Sequence, residues 1–151
     1  MLAGLCAVGG PVTASPFGAL FAGTPPATLG AAGGRLAPCP QRPNCVSSDA
    51  TDERHAIAPL AFRGDPAAAM ALLVEVVRTL PGATIATSRA DYLHAEFASA
   101  LMGFVDDGEF VVDAEAKTIR VRSAARLGYG DLGVNRKRIE TLRAAFAARN
   151  P

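Results

Sequence analysis

Polar and apolar positions alternate along the chain with two different periods. "IAPLAF", Ile57 to Phe62, alternates enough for a first strand, with Pro59 placing it at an edge or giving it an irregular start. Asp65 followed by Pro66 predicts a helix start, a capping side chain and then a proline at the first helical position. Met70, Leu73, Val74 and Val77 then recur at helical spacing on one face, and Pro81-Gly82 ends the run. "ATIATS" and "YLHAEFAS" read as two strands joined around Arg89 to Asp91. In the second, Leu93, Ala95 and Phe97 share one side, and Tyr92, His94 and Glu96 share the other.

The next pair, "GEFVVD" and "KTIRVRS", flanks a turn near Ala114 to Ala116. Centring the turn there sets Phe110 opposite Val121 and Val112 opposite Ile119. It also sets Glu109 opposite Arg122 and Val111 opposite Arg120. One face is then wholly apolar and the other carries a cross-strand ion pair. A final helix from about Asn135, an apt N-cap, puts Ile139, Leu142 and Phe146 on one stripe. The order β-α-β-β-β-β-α predicts an α+β fold: a mostly antiparallel sheet with two amphipathic helices on one face.

The first 35 residues differ in character. Met1 to Gly34 carries no charge, eight of the fifteen Gly and four of the eleven Pro. It is too broken to span a membrane as a helix. It reads as a leader-like or flexible segment before a single domain over 36–151, and favours a periplasmic or membrane-anchored location. The basic start of a leader is missing. Cys6 invites lipid attachment, but Leu5 stands where a small residue is expected. Peripheral membrane association through this N-terminus is a further expectation.

Charge changes the picture more than composition does. The chain of 151 residues has a net charge of +1 and no Trp, which leaves little to recruit or stack nucleic acid. From Asp49 to Glu115, twelve acids face four bases; from Lys117 onward, nine bases face two acids. Two oppositely charged segments in one small domain most simply satisfy each other.

Three constellations bear candidate chemistry. "PCPQRPNCVSSD" separates Cys39 from Cys45 by five residues in a proline-stiffened loop. It points first to a disulfide or a structural loop, then to a metal site and last to a nucleophile. That spacing is not a zinc motif. The second constellation is the polar sheet face with Tyr92, His94, Glu96, Glu109 and Arg122, whose simplest reading is a solvated outer surface. The third joins Asp106 and Asp107 to Arg120, Arg122, Arg126, Arg136, Lys137 and Arg138. Cations are disfavoured at a helix start, so Arg136 to Arg138 call for a negative partner. The glycines Gly128, Gly130 and Gly133 fit neither a P-loop nor a dinucleotide loop, and no cofactor or metal motif is read.

"PCPQRPNCVSSD", "YLHAEFAS", "GFVDDGEF" and "IRVRSAARLGYGDLGVNRKRIETLR", in that order, resemble the family catalogued as domain of unknown function 1499 over about Leu36 to Phe146. The resemblance implies a mainly bacterial protein in a family with many exported, lipid-anchored or membrane-fused members. It carries no reaction, ligand or catalytic residue over to this chain.

Three functions are therefore expected in competition. One is binding of an anionic small molecule or a partner protein through Arg122, Arg126, Asn135, Arg136 and Arg138. A second is an enzyme using Asp106, Asp107 and His94, with or without a metal. A third is an accessory or scaffolding domain, whose signature would be an exposed apolar patch.

Overall fold

The computed structural model describes residues 20–150. Residues 1–19 of the leader-like segment, Cys6 among them, lie outside the described residues. In chain order the elements are β1 (Cys45–Ser47), β2 (Leu60–Ala61), α1 (Pro66–Arg78), β3 (Ala83–Ser88), β4 (Tyr92–Ala98), β5 (Val105–Asp113), β6 (Thr118–Ala125) and α2 (Val134–Arg149). The strands form one antiparallel sheet in the order β1-β6-β5-β4-β3, and β2 also pairs with β6. The fold is α+β, as the periodicity predicts. The addition is β1, three residues after a proline-rich loop, too short to show any alternation.

Local chemistry explains the elements. The Asp65 carboxylate caps α1 by accepting from the Ala68 N–H at 2.8 Å, with Pro66 at the first helical position. The β5–β6 register is the expected one: Phe110 faces Val121, Val112 faces Ile119 and Glu109 faces Arg122. Both helices lie on the apolar side. Leu73 and Val77 of α1 and Ile139, Leu142 and Phe146 of α2 join Leu93, Phe97, Phe110, Ile119 and Val121 of the sheet in one core. Full burial of each large aliphatic side chain there contributes about 1.5–3 kcal/mol relative to exposure.

The α2 arginines also hold the chain that leads into β2. Arg136 donates to the carbonyls of Arg54 and Ala56, and Arg143 donates to those of Ala58 and Pro59. A two-residue strand supplies few ladder bonds, so these carbonyls take their donors from side chains instead.

The other side of the sheet is covered too. Residues 20–36 cross it as a strap. Leu36 and Ala31 pack on Tyr92 and Val111, and the Gly30 N–H donates to Glu109 Oε1 at 2.8 Å. The Phe21 ring meets Phe104 at a centroid distance of 5.2 Å. Just beyond the strap, a disulfide joins Cys39 to Cys45 of β1. The face expected to be solvated is therefore buried: Tyr92, His94, Asp107, Glu109 and Arg122 are all inaccessible or nearly so. Apart from Arg35 the strap carries no charge, and it has no period that would have announced it.

One glycine sets up the end of the sheet where the candidate site lies. A Cβ on Gly108, in mid-β5, would sit 2.6 Å from Cε2 of Phe97. Its absence lets that ring lie down on β5. The Arg138 guanidinium then sits over the same ring at 4.6 Å from its centroid. Gly108→Ala should cost about 1–3 kcal/mol in a denaturant titration, the ordinary cost of overpacking. Phe97→Leu in the same chain should recover part of that loss, and no recovery would place the conflict elsewhere.

Candidate functional site

Period-two alternation sends Asp106 and Asp107 to opposite faces of the sheet. On the strap side, Asp107 is clamped. It accepts from Arg126 Nε and Nη2, both at 2.8 Å, and lies 2.8 Å from His94 Nε2. Arg126 Nη2 also bonds Glu96. Ligand atoms of His94, Glu96 and Asp107 converge within 4.8 Å, a spacing a cation could bridge. The Arg126 guanidinium already supplies positive charge there. Burial works to raise the Asp107 pKa, but the hydrogen bonds from Arg126 and His94 outweigh it and hold the carboxyl below its ordinary value.

Glu109, two residues on, is fully buried. It accepts from Tyr92 Oη at 2.7 Å and from the strap, with Arg122 Nη1 at 3.4 Å. Burial, followed by the bond to Glu109, pushes the Tyr92 phenol up. Arg122 Nε is buried without a hydrogen-bond partner among the described residues.

At the start of α2 the free N–H groups are met by the carboxylate of Asp131, while of the three cations only Arg138 pairs with an acid among the described residues, Asp106. The helix begins at Val134, with Gly133 as N-cap in the left-handed region. Asp131 Oδ1 accepts from the Gly133 N–H at 3.0 Å, and Oδ2 accepts from the Asn135 N–H at 2.9 Å. Asn135 is thus not the cap. It lies inside the first turn, buried, and its Oδ1 accepts from Ser123 Oγ and from Arg138 Nη1. Burial works to raise the Asp131 pKa, but the bonds from Asn135 and Gly133 win and lower it. Arg136 is turned to the carbonyls near β2, as described above, and Lys137 is exposed.

Arg138 reaches the other acid. Its Nη2 donates to Asp106 Oδ2 at 2.7 Å. Asp106 Oδ1 makes no hydrogen bond among the described residues. This pair sits in a cavity of about 420 Å³ between the β4–β5 loop, the β6–α2 loop and the first turn of α2. Its walls include Ala98, Phe104, Ala125, Leu127 and Val134. Burial raises the Asp106 pKa above its ordinary value; the charge of Arg138 opposes that shift, and Asp131 and Asp107 add to it. A cavity of equal volume beside the disulfide is lined by Arg35, Asp49 and Asp52, and Asp49 is already paired with Arg120 there. A mostly apolar wall with a few convergent polar groups is the commoner form of a binding site, so the Asp106 cavity is the better candidate.

The rim of that cavity is apolar and exposed. Eight large hydrophobic residues are exposed among the described residues: Leu20, Leu101, Met102, Phe104, Leu127, Tyr129, Leu132 and Val134. Six belong to the two loops that flank the cavity, Val134 opens α2 beside them, and Leu20 precedes the Phe21 that packs on Phe104. Leu132 is also held at φ 54°, in a region that glycine or asparagine ordinarily fills. Such a conformation costs about 1–3 kcal/mol.

The structure therefore unites Asp106 with Arg138 and Asn135, and Asp107 with His94 and Arg126. It separates Asp106 from both Asp107 and His94 by the thickness of the sheet. Arg122 joins Glu109 in a third group, and Arg136 leaves the cluster altogether. Sequence reasoning missed the cavity walls. The available signal was "SALMGF" and "LGYGDLGV", loop-like by their glycines yet rich in large apolar residues.

A family model described as "Protein of unknown function (DUF1499)" matches residues 35–146, most of the chain. No curated protein and no solved structure matches.

The two neighbouring aspartates should respond oppositely to pH. The depressed pKa of Asp107 contributes stability above the unfolded value near 3.8, lost as pH falls through the lower folded value. Asp107→Asn should remove that acid limb and cost about 3–5 kcal/mol at neutral pH, because Arg126 stays buried without its partner. Asp106 has the opposite sign. Its folded pKa lies above 3.8, so stability rises as pH falls through that folded value. Asp106→Asn should keep neutral stability or raise it, and abolish that rise. Denaturant titrations between neutral and acid pH measure both, and an Asp106→Asn loss as large as that of Asp107→Asn would sink the assignment.

Proposed function

The chain belongs to the DUF1499 family, and we propose that its domain is an exported module that binds an amphipathic small molecule in the Asp106 cavity. The observation that carries the reading is the cavity itself, with apolar walls around one carboxylate that burial has made more basic. Its volume of about 420 Å³ lies within the usual range of ligand sites, roughly 300–1,000 Å³. The Cys39–Cys45 disulfide supports an oxidising compartment, the exported side of a membrane.

The charge inside the cavity selects the head group. Asp106 and Asp131 outnumber Arg138, and both Asp131 oxygens are spent on α2 N–H groups. Asp106 Oδ1 remains to accept a hydrogen bond. An anion would have to displace Asp106 from Arg138, and Arg136 and Arg126 are bonded elsewhere. The head that fits is a hydrogen-bond donor, an amine or a hydroxyl, with the apolar part of the molecule against Phe104, Leu127 and Val134. Catalysis by Asp106, Asp107 and His94 together finds less support, because the sheet stands between them.

The test is thermal unfolding with decylamine, decanol and decanoate, each below its micelle concentration. The amine and the alcohol should raise Tm as concentration rises, by mass action on the folded state. Ala125→Leu, which fills the cavity, should remove the shift. The amine effect should strengthen as pH rises through the Asp106 pKa and be lost in Asp106→Asn. A larger shift with decanoate than with decylamine, or none with any of the three, would overturn the reading.

A further inference from the structure

We infer that the end of the molecule carrying the cavity docks on the surface of a lipid bilayer, with Leu127, Tyr129, Leu132 and the Leu101–Met102 tip entering the interface. The inference stands apart from whatever fills the cavity. It rests on where the exposed apolar residues lie and on what accompanies them.

The first observation is concentration. Exposed apolar side chains scattered singly are ordinary on a soluble protein, but a contiguous group is not. Here every large exposed hydrophobic residue among the described residues belongs to one end.

The second is the absence of exposed charge between them. Residues 99–105 hold no charged side chain, and residues 127–135 hold only Asp131. That carboxylate is turned inward, onto the backbone of α2. A protein partner would ordinarily be met by a polar rim as well as an apolar centre. These loop tips offer an apolar surface and an aromatic residue with a polar tip, Tyr129, of the kind favoured at the headgroup level of a bilayer.

The third is the exposure of the individual side chains. Leu132 is 103% exposed, Leu101 80% and Tyr129 71%. Side chains as exposed as those of Leu132 and Tyr129 are wedges rather than parts of a flat, self-complementary face. A fluid acyl layer accommodates wedges without a shaped socket. Leu132 also occupies a left-handed backbone position that the fold would hold more easily with asparagine or glycine.

The fourth is the direction of the chain. Phe21 packs on Phe104, and Gly23 lies against Arg126 and Leu127. The described chain therefore begins at this same end, and the sequence before it, residues 1–19, carries no charged side chain. A bilayer is the occupant that suits an apolar rim and an uncharged arriving chain at once.

The experiment is sedimentation of the full chain with vesicles of phosphatidylcholine, and of phosphatidylcholine mixed with phosphatidylglycerol. Leu132→Asn and the pair Leu132→Asn with Tyr129→Ser are compared with the parent. The parent should bind both vesicle types about equally and keep its binding at high salt, because the tips carry no exposed charge. The double variant should lose about tenfold or more in partition. Leu132→Asn alone should bind more weakly while its Tm holds or rises, which separates loss of docking from loss of fold. Ala125→Leu should leave vesicle binding intact while it removes any amphiphile shift, so the two readings fail independently. Equal binding by parent and double variant would overturn the inference and assign membrane binding to the N-terminal segment. No binding by the parent would overturn it as well. So would a parent that is dimeric without lipid and made monomeric by the double variant, since the tips would then be a contact between copies.

Discussion

The structure turns on β5, where three acids within four residues are each answered by an arginine. Asp106 meets Arg138, Asp107 meets Arg126 and Glu109 meets Arg122. The strand is central, between β4 and β6. Its alternation therefore places carboxylates on both faces of the sheet, away from water on each side. A carboxylate in that position is tolerated only with a cation and further donors beside it. The charge asymmetry along the sequence is the linear trace of this requirement, with acids up to Glu115 and bases after it.

Both covers of the sheet follow from that demand. On the apolar side, α2 brings Arg138 to Asp106 while its own stripe fills the core. On the other side, Arg122 comes from β6 and Arg126 from the residue just past its end, and the strap closes over that face. The match is complete at Asp107, where two guanidinium nitrogens and an imidazole converge. It is looser at Glu109, where Arg122 stands at 3.4 Å and keeps a buried Nε–H without a partner among the described residues. At Asp106, which lines the cavity, one oxygen is paired with Arg138 and the other accepts no hydrogen bond among the described residues. The three acids thus grade from fully locked to available, and the available one is the one near the apolar rim.

Much of this was legible in the chain. The β5–β6 register followed from matching two faces at once, because slipping by one residue would put Phe110 and Val112 with the charges. The α1 start followed from Asp65-Pro66, where the cap and the proline agree. What was hidden has physical reasons. The polar face of β4, β5 and β6 alternates as a solvated face does, and its cover is a strap with a single charge, Arg35, and no period of its own. Asn135 has the right chemistry for a cap, but Asp131 competes with a full charge and two oxygens, and its loop carries the turn. The cavity had no motif because its walls come from two loops that only the sheet brings together.

The turn that caps α2 also accounts for the rim. Asp131 must face inward for its two oxygens to reach the N–H groups of Gly133 and Asn135. The chain reverses over the next two residues, and both adopt positive φ, 54° at Leu132 and 78° at Gly133. Glycine at the second position relieves the strain there. Leucine at the first relieves nothing, since its side chain stands fully in solvent and touches no part of the core. The fold would be served as well or better by a smaller or more polar residue at that position. The docking inferred above would give this leucine, unfavourable both to the local backbone and to water, a contact outside the chain.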